Sequence, residues 1–390
     1  MTKSPPEDTD SGNRKVRVFS PVRVLVTGGG TGGHVYPGLA VAGALEKLAP
    51  GSEVRFAGTS RGIESVLVPR AGYRFATLPA SGLRGLGGRA RFLFLMNFFL
   101  GFFRSVLMFL LWRPRVVLGT GGYVSAPVML AAKALGIPCA LQEQNAVPGS
   151  TNRLVGRWAR RIYLGFGGAA RFFKASRCLE TGNPVRSEFL KAAAPDEKAP
   201  DERTGNTLLV FGGSRGAATL NKAVAEAAET WRTVTDLSLL IQTGTRDHDT
   251  VAAAYEAGAA DRVSVVPYIE DMASALRMAD LVVSRSGAMT LAELQCVGRP
   301  AVLVPFPFAT DDHQLRNAED CELAGAAVVL KDSECDGPAL VALVDELLGD
   351  PERLRKMSQA AAGMARPDAA EVIAADLLQL AGSEKAVERI

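Results

Sequence analysis

The chain has 390 residues, 47% hydrophobic and 22% charged, a size and balance that suit two α/β domains better than one core. A formal net charge of +3 is too small to imply nucleic acid, and no interleaving of aromatic and basic residues suggests RNA. Five widely spaced cysteines (Cys139, Cys178, Cys296, Cys321 and Cys335) include no CxxC pair, which argues against a disulfide framework or a zinc knuckle.

Residues 1–21 mix Pro, Ser, Asp and Lys without an apolar run of signal-peptide length, and they read as a flexible tail. The first strand–turn–helix unit follows in VRVLVTGGGTGGHVYPGLAVAGAL. Its turn satisfies GxGxxG through Gly28, Gly30 and Gly33, so a dinucleotide is the obvious rival ligand. That fingerprint also needs an acidic residue at the end of the second strand. EVRFAGTS instead ends in Ala57-Gly58-Thr59, with Glu53 at the wrong end. A glycine turn opening a helix suits a phosphate or diphosphate, because the backbone can approach closely and the first N–H groups point at the ligand. His34 opens that helix, which makes it a candidate for the cleft and for a general base.

The segment from Phe92 to Trp112 is apolar and long enough to span a bilayer. A crossing here would separate VRVLVTG from RVVLGTG, two strands expected in one sheet, and Arg104 near its middle would add about 2.5–3.5 kcal/mol. On a helical wheel Asn97, Gly101, Arg104, Ser105 and Met108 gather on one side, leaving a broad Phe and Leu face flanked by Arg84, Arg89, Arg91, Arg113 and Arg115. That pattern predicts an interfacial helix on an anionic leaflet, with Phe98, Phe99, Phe102 and Phe103 against lipid. A core helix of the first domain is the competing reading.

Three more units repeat the grammar: RVVLGTGGYVSAPVMLAAKAL, TLLVFGGSRGAATLNKAVAEAA and ADLVVSRSGAMTLAELQCVG. Apolar strands alternating with helices predict parallel sheets covered on both faces, here two doubly wound domains with their glycine turns facing a shared cleft. The boundaries read as 22–185 and 207–366, joined by a charged, proline-containing linker at 186–206, with a final helix at 367–383 that packs back on the first domain. The third turn, Gly212 to Gly216, adds a hydroxyl and a guanidinium, and two phosphate-compatible turns in two domains point to two phosphorylated substrates. Glu293 follows the fourth turn. It is read either as a carboxylate placed by the helix dipole or as an acceptor for a ribose diol. Asp311, Asp312, His313 and Gln314 form a polar cluster suited to sugar hydroxyls, whereas the DxD of Asp247-His248-Asp249 reads as a solvated loop, and no set of side chains has metal-ligand spacing.

The ordered motifs TGGGTGGHVYPGLA, GTGGYVSAP, EQN, GNPVR, GGSRGA, YIEDM, RSGAMTLAE and DHQ resemble the MurG family of glycosyltransferases, from about Val22 to the end of the chain. The resemblance implies a GT-B fold and inverting transfer of N-acetylglucosamine from UDP to the 4-hydroxyl of the N-acetylmuramoyl group of lipid I, with no cofactor and no metal. It implies donor contacts at Thr31, Gly32, Gly33, Asn145, Arg186, Ser214, Ile269, Ala288, Met289, Thr290, Leu291, Ala292, Glu293, His313 and Gln314. The acceptor diphosphate falls at Gly30, His34, Gly121, Gly122 and Tyr123, and His34 and Glu143 are both candidate bases. Gln142 departs from the histidine that relatives often carry before EQN. The implied partners are UDP-N-acetylglucosamine, lipid I, anionic inner-membrane lipids and other proteins of cell-wall synthesis and division, and the implied location is the cytoplasmic side of the inner membrane, peripherally bound. Two rival functions remain open on the residues alone: another GT-B enzyme, such as a UDP-N-acetylglucosamine 2-epimerase or a transferase with a different lipid acceptor, and a catalytically silent membrane scaffold.

Overall fold

The computed structural model describes residues 19–82, 88–192, 205–213, 216–256 and 261–384. Most of the expected tail, Arg84, the Arg89 side chain, Ser214, Arg215 and residues 193–204 of the expected linker lie outside the described residues.

Two parallel sheets organise the chain. The first contains β1 (Arg23–Gly28), β2 (Glu53–Gly58), β3 (Arg74–Thr77), β4 (Val116–Gly121), β5 (Cys139–Glu143), β6 (Arg161–Leu164) and β7 (Cys178–Glu180), in the order β3-β2-β1-β4-β5-β6-β7. The second contains β8 (Asn206–Phe211), β9 (Leu237–Gln242), β10 (Val263–Val266), β11 (Leu281–Ser284), β12 (Ala301–Leu303) and β13 (Ala327–Val329), in the order β10-β9-β8-β11-β12-β13. The central strands are continuous apolar runs because helices cover both faces; every residue of β4 is buried. In each sheet the winding reverses beside the first strand, between β1 and β4 and between β8 and β11. A doubly wound sheet leaves a crevice at that point, and all four glycine turns emerge there.

The linker region is more structured than its composition suggests. Ser187–Ala192 is a short helix whose Phe189 is fully buried in a core with Leu209, Leu276 and Leu303 of the second domain. Residues Ala369–Leu380 form a helix that returns to the first domain, burying Ile373, Ala374, Leu377 and Leu378 beside Val41 and Leu45. Asp376 of that helix pairs with Arg161 at 2.9 Å and accepts a hydrogen bond from Tyr163 at 2.8 Å.

The apolar segment is one helix, Gly88–Trp112, and its orientation follows from packing rather than from polarity. Gly101 and Ser105 face inward; a Cβ at Gly101 would stand 2.8 Å from the Pro79 carbonyl, so only glycine allows that approach. Ser105 loses no hydrogen bond by burial, since its hydroxyl donates to the Gly101 carbonyl at 2.7 Å. Phe109 and Trp112 are buried, and Phe98 and Phe102 lie half-buried against the same core. Phe92, Leu95, Phe99, Phe103, Leu107, Leu110 and Leu111 point to solvent. The expectation that Phe98, Phe99, Phe102 and Phe103 share one outward face is therefore corrected: the pairs divide. Arg91–Trp112 is long and apolar enough to cross a membrane by length and composition. It connects β3 to β4 of a single sheet, however, and so cannot cross without splitting that sheet.

Candidate active site

The turns after β1 and β4 are built into each other. Gly29 N–H donates to the Gly121 carbonyl at 3.2 Å, and a Cβ on Gly122 would meet the Gly29 oxygen at 2.4 Å. Gly30, Gly121 and Gly122 all have positive φ (91°, 110° and 84°), so side chains are disfavoured by conformation at all three and by space as well at Gly121 and Gly122. Beneath them lies the carboxylate of Glu64, which is 1% exposed. It accepts from the N–H groups of Gly30 and Thr59, each at 2.9 Å, and from the Thr59 hydroxyl at 2.7 Å. Glu53, the acidic residue weighed for a dinucleotide, instead accepts from Trp112 Nε1 at 2.8 Å and from Arg55, at the far end of the strand.

Thr31 caps the helix Gly32–Leu48 in an extended conformation without a side-chain hydrogen bond, and the first turn holds no acidic residue, so the N–H groups of Gly32 and Gly33 face outward with the positive end of the helix dipole. His34 sits in that turn with its ring against Gly121, where a Cβ would come within 2.7 Å of Nδ1. Nδ1 lies 3.2 Å from Gln144 Oε1, and the His34 carbonyl accepts from the Thr120 hydroxyl at 2.6 Å. Burial is the largest influence on this imidazole and pushes its pKa below the ordinary value, against the hydrogen bonds to Gln144 and Thr120 and the charge of Glu64. His313 of the second domain is a lesser influence in the same direction as burial.

Glu143 is buried, and both of its oxygens are engaged. Oε1 accepts from the Asn145 N–H at 2.9 Å and its side chain at 3.3 Å, while Oε2 accepts from Asn152 at 2.8 Å. Desolvation raises its pKa despite those bonds. Asn145 in turn meets the second domain: its Oδ1 accepts from Asn317 Nδ2 at 3.2 Å, and Asn317 Oδ1 accepts from the Ala146 N–H at 2.9 Å. Arg153 closes the same edge through Asp311 at 2.9 Å.

On the second domain, the helix Ala288–Val297 begins at Gly287 with no side-chain cap and no acidic residue in its first turn. Glu293 is in the second turn, beyond the reach of the dipole, so the purely electrostatic explanation for it fails. It is buried with Arg186 at 3.5 Å, and desolvation, only partly offset by that guanidinium, pushes its pKa up to about 7. Arg186 stacks over Tyr36 at 4.4 Å and over Phe189 at 4.7 Å, and also pairs with Glu188 at 2.8 Å. Ala288, Met289, Leu291 and Ala292 are buried, with Thr290 at the margin. Ile269 packs into the core and commits its N–H to Gln242 Oε1 at 2.8 Å. Gln314 Oε1 accepts from the Phe306 N–H at 3.0 Å, and His313 Nδ1 lies 2.7 Å from the Thr310 carbonyl. Gly213 and Gly216, flanking Ser214, have φ of 87° and 74°. Asp247 of the DxD is held by Asn221 Nδ2 at 2.8 Å, at the start of the helix His248–Tyr255.

Residues 24–164 match the glycosyltransferase family 28 N-terminal domain, and residues 207–373 match the family's C-terminal domain. The chain belongs to glycosyltransferase family 28. Within that family, a protein of Geobacter metallireducens named UDP-N-acetylglucosamine–N-acetylmuramyl-(pentapeptide) pyrophosphoryl-undecaprenol N-acetylglucosamine transferase is 42% identical, with 93% of this chain and 100% of that protein covered. A protein of Anaeromyxobacter sp. (strain K) with the same name is 41% identical over 92% of this chain and 93% of its own length. The crystal structure of Acinetobacter baumannii MurG matches with a TM-score of 0.73 at 31% identity, covering 92% of this chain and 100% of that one. A putative UDP-N-acetylglucosamine 2-epimerase from Listeria monocytogenes matches with a TM-score of 0.68 at 16% identity, a likeness of fold alone. This family 28 member is therefore a GT-B glycosyltransferase of the MurG group, and the epimerase and scaffold alternatives fall away.

Sequence reasoning missed Glu64, Gln144, Asn152 and Asn317. Each supports a motif from a distance along the chain, and none stands in a pattern of its own. The one available signal is the position of Gln144 inside EQN, between Glu143 and Asn145.

Proposed function

We propose that this chain transfers N-acetylglucosamine from UDP to the 4-hydroxyl of the N-acetylmuramoyl group of lipid I, with inversion at the anomeric carbon, and that His34 is the general base. The observation that carries this reading is an imidazole at the joint of the two interlocked glycine turns, its pKa lowered by burial, in a chain that matches a relative named for that transfer over 93% of its length. The acceptor hydroxyl attacks as its proton passes to the imidazole. A new bond forms from that oxygen to the anomeric carbon, and the bond to the UDP oxygen breaks. Glu143 is a poorer base because its oxygens already hold Asn145 and Asn152; its role is to shape the EQN turn.

Negative charge gathers on the departing diphosphate, and the uncapped start of the helix Ala288–Val297 is suited to stabilise it. Glu293 accepts hydrogen bonds from the ribose diol, held by Arg186, whose Nε is buried without a hydrogen-bond partner among the described residues. Thr31, Gly32 and Gly33, with Asn145, Ile269, His313, Gln314 and Ser214, complete the donor side. Gly30, His34, Gly121, Gly122 and Tyr123 receive the acceptor diphosphate. The outward face of Gly88–Trp112, with exposed Arg91, Arg104 and Arg113, rests on anionic lipid and brings the enzyme to its lipid-linked acceptor on the cytoplasmic side of the membrane. Incubation of the pure protein with radiolabelled UDP-N-acetylglucosamine and a lipid I analogue tests the assignment. A labelled disaccharide lipid is expected, and release of free N-acetylglucosamine or its epimer without that lipid would overturn it.

A further inference from the structure

Behind His34 runs a chain of buried amides whose polarity can be worked out from both ends. At the near end, the Gln144 amide lies 2.7 Å from the Thr120 carbonyl. A carbonyl only accepts, so the group facing it is the Gln144 NH2, and Oε1 is the atom turned toward His34 Nδ1 at 3.2 Å. An amide oxygen also only accepts. Nδ1 must therefore carry the ring hydrogen, which leaves the lone pair of the neutral ring on Nε2. The far end gives the same polarity independently. Asn183 Nδ2 faces two backbone carbonyls, those of Gln144 at 3.0 Å and Ala288 at 3.5 Å, so Asn183 Oδ1 accepts from Gln142 Nε2 at 2.9 Å. Gln142 Oε1 is then left to accept from the Gln144 NH2, which it meets in close contact. Gln142, Gln144 and Asn183 are all buried, so turning any one amide over would set like groups face to face with no water to relieve them.

We propose that Gln144 is a positioning residue that holds His34 in the Nδ1–H tautomer, and that Gln142 and Asn183 keep the Gln144 amide from turning over. The inference rests on the reading of His34 as the base and adds the reason its proton-accepting atom is Nε2. As the acceptor hydroxyl ionises, Nε2 takes the proton, and Nδ1–H continues to donate to Gln144 Oε1, which supports the imidazolium. The relay begins against Ala288, at the start of the helix that faces the donor, and so spans both domains. The ionisable groups facing the imidazole are Glu64 beneath the first glycine turn and His313 across the cleft, with Glu143 behind Asn152 on the side of Gly121.

The chain has three histidines, so nitrogen NMR of histidine-labelled wild-type protein can observe each, with His34→Gln to assign the one in question. Above the imidazole pKa, a protonated Nδ1 and an unprotonated Nε2 are expected for His34; an Nε2–H ring, or a rapidly exchanging mixture, would overturn the proposal without any change to the relay. Gln144→Met supplies the kinetic arm. It is expected to lower kcat by about tenfold to a hundredfold, less than or at most equal to the ~10²-fold lower bound for removing a general base outright, because the base itself remains, with the KM for UDP-N-acetylglucosamine nearly unchanged. The acid limb of its rate profile should move to lower pH, because the hydrogen bond from Nδ1 to Gln144 raises the imidazole pKa and its loss removes that support. A folded Gln144→Met enzyme with kcat within about threefold of wild type and an unmoved limb would refute the relay. If His34→Gln itself retained activity, the base assignment would fail first, and the two failures are thereby distinguishable.

Discussion

Replacing Phe99 and Phe103 with serine separates membrane binding from folding. These side chains are 56% and 63% exposed, so burying the remainder of each in lipid is worth about 1–2 kcal/mol, a little over half of the ~1.5–3 kcal/mol for a fully buried side chain. The pair thus supplies about 2–4 kcal/mol, and its loss should weaken partition onto anionic vesicles by roughly thirtyfold to several hundredfold. Since both residues already face water, the midpoint of thermal unfolding should hardly move. Phe98 and Phe102 provide the internal contrast, because they pack half-buried against the core that holds Phe109 and Trp112, and their conversion to serine should cost stability as well. Phe109→Ala, at 1% exposure, should cost about 3–5 kcal/mol without a specific effect on binding. Vesicle sedimentation and differential scanning calorimetry give the two readouts. High salt should release the wild type only in part, since it screens Arg91 and Arg104 but leaves the apolar contribution. A stably folded Phe99→Ser, Phe103→Ser protein that still sedimented like the wild type would refute the outward face as the lipid contact.

Glu293→Ala should weaken UDP-N-acetylglucosamine binding by about 1–3 kcal/mol in calorimetry if the carboxylate holds a buried ribose diol, and unchanged affinity would return the residue to a structural role with Arg186. Because burial lifts the Glu293 pKa to about 7, the anionic form is lost as pH falls through that value, so wild-type affinity should decline toward pH 6 while Glu293→Gln gives a flatter profile. Glu64→Gln places an NH2 against backbone donors now satisfied by a carboxylate; a stability loss of about 2–3 kcal/mol is expected by denaturant unfolding, together with a raised KM for the lipid acceptor. Transferase activity should survive EDTA, since the uncapped helix start at Gly287 is available to the diphosphate and Asp247 is committed to Asn221; a loss that magnesium specifically restored would count against this assignment of charge.

The alternation of apolar strand, glycine turn and helix is a local property, because strand burial, positive φ and helix initiation are decided within a few residues. The sequence by itself therefore determined the two parallel α/β sheets, the glycine turns at their switch points and the candidacy of His34 and Glu293. Pairing across the chain is not local. That Gly122 closes on Gly29, that Glu64 supports Gly30, that Asn317 spans to Asn145, and that Gln142, Gln144 and Asn183 form one relay all depend on which buried polar groups meet after the sheets assemble. The helix Gly88–Trp112 makes the same point about faces. Its phenylalanines and leucines cover a face broader than the one that packs, so composition could not say which phenylalanines turn inward; the close approach at Gly101 and the burial of Ser105, Phe109 and Trp112 decided it, because a helix packs along the line where its backbone can come close to its neighbour.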